Sequence, residues 1–590
     1  MKYVTGAILL GALASSVSAK PWANHHVVHE KRHVSTEGIW SKGRELDSRT
    51  IIPFRIGLKQ SNLEHGDRWL MEISDPDSPS YGRHWSADQV IHAFKPSDDT
   101  VKSVHDWLVG SGIGSHRHRL SEGLNWLEFD ATAAEAESLF KTKYHLFSHP
   151  KSGAKQVPDN LSPAEGNSVG IVEYTPESFL QSDLNTFFSR YVPQAVGEAP
   201  VFDSIDGGYL FQGFNSTTAF NYLGEPSLDL QYSMALLYPQ NVILYQVGDL
   251  AEDNITSFNN FLDAIDGSYC TYDGGDDPDY DAVYPDPYPG PHSYKGKEDC
   301  GTYAPAKVIS TSCYDEVDLP PSYEERQCYE YMKLGLMGTT FSYSSGDYGV
   351  GGYGGSCLND NGTYNDGTSG NFVPSFPSGC PYVLSVGATQ IRNGTNNVAQ
   401  LVHEGKQPEV TMELYLTPDG FVGTDFPIGG DPIGSSIFSS SGGFSNVFPL
   451  PSYQAAAVTA YNEKYAPNYG GKYNATGRAR GFPDISSNGA WLSIVVDGEF
   501  SMVFGTSCAA PTIAALLGLI NGERLKVGKK SVGFINPTLY KNPQILNDVT
   551  LGGNPGCGTY GFNAEPGWDP ATGLGTPNFP KMLELFLSLP

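Results

Sequence analysis

Basic residues are scarce in this chain: 37 Lys and Arg stand against 65 Asp and Glu, a formal net charge of −28. That balance argues against nucleic acid as a partner, because phosphate binding needs basic patches. Long apolar runs are scarce as well. Val4 to Val17 is too short to span a bilayer, and no other stretch reaches the roughly 18 apolar residues of a membrane helix, so no membrane anchor is expected. Charged residues of both signs make up only 17% of the chain, while hydrophobic residues reach 39% and aromatics 12%, a globular rather than a disordered composition. Histidine is the most informative shortage. Of 14 His, 12 precede residue 150, and only His292 and His403 follow. Any chemistry in the later part that needs an imidazole base must use one of those two.

The residues that are present divide the chain. Its 590 residues are enough for several domains. Residues 1–160 hold 19 basic and 19 acidic side chains; the rest hold 18 against 46, so all of the net charge lies after residue 160. Residues 1–19, with Lys2, the apolar run and the small residues Val17-Ser18-Ala19, have the form of a secretory signal peptide. An extracellular location agrees with eight Cys, all in the acidic part, and with six Asn-X-Ser/Thr sequons at Asn160, Asn215, Asn254, Asn361, Asn393 and Asn474. Eight Cys allow 105 pairings. Local links Cys270–Cys300 and Cys313–Cys328 are plausible from spacing, and Cys508 has the context of a buried thiol.

Residues 20–160 read as a small α+β domain ending in a Pro/Gly/Ser-rich linker. Strands are expected at Ile51–Leu58 and Trp126–Ala131, and helices at Asn62–Ser74, Ser86–Phe94, Ser97–Val109 and Ala133–Phe140. From residue 165 to 590, short apolar runs such as Val169–Tyr174, Val242–Gln246, Thr340–Tyr343 and Tyr382–Val386 alternate with helical stretches. That pattern is an α/β fold around a mainly parallel, buried sheet. Only a short interval separates Pro150 from Val169.

Three segments carry chemistry. In Gly505-Thr506-Ser507-Cys508 a small-residue turn opens the apolar helix that continues past Pro511, which suits either a serine nucleophile or an ordinary helix N-cap. Glu225 and Asp229, spaced i and i+4, share one helix face, with Pro226 suited to the first turn. They form either a solvated acidic turn or a coupled carboxylate pair able to act as a base. Asp347, in Ser345-Gly346-Asp347-Tyr348-Gly349, follows an apolar strand, where open α/β sheets place their sites.

Taken in order, Glu225-x-x-x-Asp229, Ser-Gly-Asp347 and Gly-Thr-Ser507-x-x-x-Pro511 resemble the sedolisin family, the serine-carboxyl peptidases of subtilisin-like fold that include tripeptidyl-peptidases. Gly442-Gly443-Phe444-Ser445, Phe482-Pro483-Asp484-Ile485-Ser486 and the prodomain segment Ser74-Asp75-Pro76-x-x-Pro79-x-Tyr81-Gly82 extend the resemblance over nearly the whole chain. It implies a ferredoxin-like prodomain that inhibits the peptidase domain, and a monomer acting on protein and peptide substrates in mild acid. Ser507 is then the nucleophile, Glu225 the general base, Asp229 its orienting partner and Asp347 the protonated donor to the oxyanion. It also implies a Ca²⁺ site from the side chains of Asp548 and Asp569 and the carbonyls of Val549, Glu565 and Gly567.

Three alternatives stay open on sequence alone. An endopeptidase of the same family would carry the same motifs, and an inactive secreted calcium-binding protein would keep the loops. A Ser-His-Asp enzyme would need His292 or His403 beside Ser507. His29-Glu30-Lys31-Arg32-His33 matches the H-E-x-x-H zinc signature, but in a polar stretch near the N-terminus without the buried helix such a site needs. The prodomain histidines suggest a pH switch, with His92, His105 and His145 as candidates.

Overall fold

A computed structural model of the chain describes residues 41–45, 47–121, 123–140, 145–148, 167–251, 258–270, 280–312, 314–391, 409–417, 420–423 and 436–590. The signal segment, the H-E-x-x-H stretch, the join at 149–166, Cys313 and His403 lie outside the described residues. The chain forms two compact units, one of Met1–Leu58, Ser97–Ser121 and Trp126–Ser152, the other of Lys59–Pro96, Glu122–Asn125 and Gly153–Pro590.

The smaller unit is α+β. Ile51–Gly57 pairs antiparallel with Trp126–Thr132, which pairs antiparallel with His118–Leu120. Residues along Trp126–Thr132 alternate between inner and outer positions, so Leu127, Phe129 and Ala131 face a core shared with Leu58, Leu108, Ile113, Ala136 and Leu139. Helix Asp98–Gly110 supplies Leu108, and helix Ala133–Phe140 supplies Ala136 and Leu139. The Ser97 hydroxyl accepts from the Thr100 amide at 3.1 Å and opens the first of these helices.

The larger unit is built on an eight-stranded sheet. Its strands are β1 (Val169–Tyr174), β2 (Val201–Ile205), β3 (Val242–Val247), β4 (Val308–Thr311), β5 (Thr340–Ser344), β6 (Leu384–Ile391), β7 (Glu409–Thr411) and β8 (Ile485–Asn488). The order is β7-β6-β5-β4-β1-β3-β2, with β8 also on β6. Every pairing is parallel except β6 with β7. Strands covered on both faces are buried along their whole length, as β4 and β5 are and as β1 is through Glu173, and β1 accordingly reads as an apolar run rather than as alternation.

Five helices frame the sheet and its site: α1 (Leu63–Ser74), α2 (Ala87–Phe94), α3 (Ala219–Leu237), α4 (Pro321–Leu336) and α5 (Thr506–Lys526). Helices α3 and α5 are buried along most of their length, and the residues of α5 join a core with Val169, Val308, Leu384 and Ile485 of the sheet. Helices α1 and α2 come from the N-terminal part yet pack in this unit, where Leu70, Ile73, Val90 and Phe94 close on Met332, Leu336 and Phe534. Gly66 of α1 leaves room for Met332: a Cβ there would stand 2.1 Å from its terminal methyl. The Ser86–Gln89 capping box starts α2.

Two local expectations are corrected. Pro226 does not open its helix; α3 begins at Ala219 and Pro226 lies inside it. A proline there cannot donate to the Tyr222 carbonyl, and that carbonyl instead accepts from the Ser178 amide at 2.8 Å. The disulfides are Cys270–Cys300, Cys328–Cys380 and Cys357–Cys557. Spacing anticipates the first but fails for Cys328, which helix α4 aims at Cys380, far from its sequence neighbours. Cys508 is free and buried.

Candidate active site

The carboxyl ends of β1, β4 and β5 open into a cleft of about 510 Å³. It is lined by Glu173, Glu177, Glu225, Asp229, Ser312, Asp315, Asp318, Asp347, Thr506 and Ser507, among others, and, among the described residues, by no Lys, Arg or His. Ser507 stands in the first turn of α5, entered through Gly505. Glu225 and Asp229 stand one turn apart on α3, which packs directly beside α5. Asp347 follows β5 through the turn at Gly346, whose amide donates to the Thr506 hydroxyl at 3.0 Å. The four residues expected from sequence to carry catalysis therefore meet in one cleft.

Asp347 faces the nucleophile turn. Its Oδ1 accepts from the Thr506 amide at 2.6 Å and the Thr506 hydroxyl at 3.0 Å. Burial outweighs these bonds and pushes its carboxyl up to about 6, so it is neutral in mild acid and able to donate. The Ser441-Gly442-Gly443-Phe444-Ser445 segment braces this turn. Ser441 donates its amide to the Gly346 carbonyl at 2.8 Å and accepts from the Tyr348 amide on its hydroxyl at 3.0 Å.

Asp229 has more carboxyl company than its own motif suggests. Glu173, on β1, and Glu177, in the loop after it, join Glu225 and Asp229 in a nest without a cation. Burial, followed by the Glu225 and Glu177 carboxylates, raises Asp229. Burial, followed by Asp229, raises Glu173, and burial with Glu225 raises Glu177. Such a group holds few negative charges at once and shares its protons. Sequence reasoning singles out neither Glu173 nor Glu177, although an acid inside the buried run Val-Gly-Ile-Val-Glu173 is a usable signal. Ser312, the residue after β4, is also missed. It donates to Glu225 Oε1 at 2.7 Å and lies 3.3 Å from Ser507 Oγ.

His292 is not part of this cleft; its ring packs against Tyr209, with centroids 4.2 Å apart. The proton of Ser507 therefore has carboxylates to go to and, among the described residues, no imidazole. A hydrolase built this way is a serine-carboxyl peptidase.

The comparisons with known proteins agree. Aorsin of Aspergillus oryzae is 37% identical over 99% of this chain and 98% of its own length. Tripeptidyl-peptidase sed1 of Aspergillus fumigatus is 37% identical over 99% of both chains. Tripeptidyl-peptidase SED1 of Arthroderma otae is 36% identical over 98% of both. Residues 39–164 match the pro-kumamolisin activation domain. Among solved structures, Pseudomonas sedolisin, a serine-carboxyl proteinase, is 22% identical with a TM-score of 0.48, covering 72% of this chain and 92% of that one. The chain belongs to the sedolisin family, and its N-terminal part is an activation domain.

Away from the cleft, the residues expected to hold a cation come together on facing loops. The Gly567 amide donates to Asp548 Oδ2 at 2.9 Å, and the Glu565 amide to Asp569 Oδ2 at 3.0 Å. Asp569 Oδ1 accepts from the amides of Ala571 and Thr572 at 2.9 and 2.8 Å. Val549 is fully buried. Among the described residues no three His, Cys, Asp or Glu side chains cluster as a metal site. The Phe482-Pro483-Asp484 motif has a structural role: Asp484 pairs with Arg480 at 2.6 Å, and both side chains are fully buried.

Proposed function

We propose that this serine-carboxyl peptidase is a secreted enzyme that works in mild acid and releases tripeptides from the free N-termini of extracellular proteins. The observation that carries the reading is the position of Asp347, a buried carboxyl raised to about 6 and fixed beside the nucleophile turn. In mild acid Ser507 attacks the peptide carbonyl and its proton passes to the Glu225 side of the cleft. Asp229 holds Glu225 in place, and neutral Asp347 donates to the developing oxyanion. The names of two of the reported relatives, both tripeptidyl-peptidases, support exopeptidase action. So does the cleft, where Asp315 and Asp318 offer negative charge to a substrate's free ammonium group. The signal-like N-terminus, the disulfides and exposed sequons at Asn215 and Asn361 support secretion.

The C-terminal loops suit Ca²⁺. Two carboxylates are too few to hold it alone; the carbonyls of Val549, Glu565 and Gly567 with water would supply the remaining oxygens the ion takes. Its chemistry there would be structural: it neutralises Asp548 and Asp569 and ties the loops together.

The test compares hydrolysis of a tripeptide amide with a free N-terminus and its N-acylated counterpart near pH 4. Preference for the free peptide supports tripeptide release; equal rates make the enzyme an endopeptidase. Glu225→Gln, Asp229→Asn and Ser507→Ala should each lose most activity while folding, and the losses should not add, because the groups act as a unit. A Glu225→Gln enzyme at near-full rate removes the proposed base.

A further inference from the structure

Among the described residues Glu225 and Ser507 share no hydrogen bond. Ser312 stands between them, its Oγ donating to Glu225 Oε1 at 2.7 Å and lying 3.3 Å from Ser507 Oγ. The residue is placed by the fold, not by a loop tip: it directly follows Thr311 at the end of β4, a central strand paired with both β1 and β5. A serine hydroxyl donates one hydrogen bond while accepting others, so it can take a proton on one side and give one on the other without carrying net charge. A general base can act through one intervening water, and here a side-chain hydroxyl occupies that place.

Resting on the reading of Ser507 and Glu225 as nucleophile and base, we propose that Ser312 is a second catalytic hydroxyl that relays the proton between them. As Ser507 Oγ bonds to the substrate carbonyl carbon, its proton moves to Ser312 Oγ. In the same step the original Ser312 proton moves to Glu225 Oε1, and the carbonyl π pair moves onto the oxygen facing Asp347. Glu225 ends as a neutral acid and Ser312 ends unchanged. When the peptide C–N bond breaks, the leaving nitrogen takes its proton by the reverse path, and Glu225 becomes a carboxylate again. Deacylation by water repeats the sequence with a water proton in place of the serine proton.

The alternative is that Ser312 only holds Glu225 until substrate arrives, after which Glu225 reaches Ser507 directly. The two differ in the number of protons in flight. The experiment uses the full chain activated in mild acid and a fluorogenic tripeptide amide. Initial rates in H₂O/D₂O mixtures should give a curved, two-proton dependence for the wild type; a linear, one-proton dependence overturns the relay, and this arm needs no variant. Ser312→Thr and Ser312→Val add the same bulk, but only Thr keeps the hydroxyl. Thr should stay within about threefold of wild type in kcat, and Val should fall about a hundredfold with KM little changed. A Val enzyme as fast as the Thr enzyme also overturns the relay. Ser507→Ala runs alongside: activity surviving in that variant would sink the peptidase reading itself, whereas an inactive Ser507→Ala with a fully active Ser312→Val would sink the relay alone.

Discussion

Gly505 and Asp347 approach so closely that a Cβ on Gly505 would stand 2.9 Å from Asp347 Oδ2. Gly505 also has φ +146°, a region side-chain-bearing residues rarely adopt. The turn that presents Ser507 and the Asp347 carboxyl packed against it thus exclude any other residue at 505. Gly505→Ala should push Asp347 aside, cutting kcat by about a hundredfold and costing about 1–3 kcal/mol of stability. Steady-state rates and thermal unfolding check this, and an enzyme with unchanged kcat would show that the contact is idle.

The carboxyl nest makes a prediction about pH and stability. Burial and mutual repulsion raise Glu173, Glu177 and Asp229 above their ordinary range in the folded state. A carboxyl raised on folding contributes stability fully below its unfolded value near ~4 and loses it as pH climbs through the folded value. The melting temperature should therefore be highest near pH 4 and decline toward neutrality. Glu173→Gln, which removes one acid from the nest, should flatten the decline. A melting temperature that rises steadily from pH 4 to 7 contradicts this.

His92 is exposed and bonds the Asp88 carbonyl of its own helix, His105 packs on His118 in the small unit, and the side chain of His145 is outside the described residues. His84 sits on Gly338 and Gly533, next to Trp85, whose amide donates to the Leu336 carbonyl at 2.8 Å. Burial, then Lys530, Lys307 and Arg524, depress it from 6.5 to about 4. A depressed histidine keeps the 59–96 segment docked above ~6.5 and releases that contribution as pH falls toward ~4, on the order of a hundredfold in affinity. His84→Gln, unable to charge, should shift release of the activation domain to lower pH, and the His92→Gln, His105→Gln pair should not. Cleavage of the activation domain followed against pH decides it; an unmoved midpoint in His84→Gln leaves carboxylate protonation as the trigger.

Removal of Ca²⁺ should lower the melting temperature of the enzyme. A ligand bound only to the native state at 100 times its Kd stabilises by about 2.7 kcal/mol. Asp548→Asn and Asp569→Asn should melt lower in Ca²⁺ and respond less to chelator than the wild type. If wild type melts identically with and without chelator, the loops hold no structural cation.

The buried pair Arg480–Asp484 predicts an asymmetric cost. Asp484 also accepts from the Ser385 amide, Asn536 and Tyr540 at 2.9, 3.1 and 2.9 Å. Asp484→Ala leaves a buried guanidinium without its partner and should cost about 3–5 kcal/mol. Replacing both residues with apolar ones should cost less than the sum of the single changes. Denaturant unfolding of the single and double variants would reveal additivity instead if the pair were not coupled.

The order of these residues along the chain is legible because each stands where local pattern and chemistry coincide. Asp347 follows an apolar strand, Ser507 opens an apolar helix, and Glu225 and Asp229 share a helical period. Local rules fail where tertiary packing overrides them. Pro226 looks like a first-turn residue, but Ser178 uses the carbonyl it frees. Cys328 has a near neighbour in sequence, but α4 carries it to Cys380. Glu177 and Ser312 bear no motif of their own, and Glu173 offers only an acid within an apolar run; their roles emerge when three strand ends converge. His84 cannot be told from eleven other histidines without knowing which of them meets lysines.

The hydrogen bond from Ser178 to Tyr222 has a mechanical consequence. It clamps the loop carrying Glu177 to the turn of α3 just ahead of Glu225, so the loop and the helix travel as one body. The backbone position of Glu177 relative to Glu225 is thus set by that bond as well as by side-chain packing. A residue usually counted as a helix breaker thereby acts as a splint.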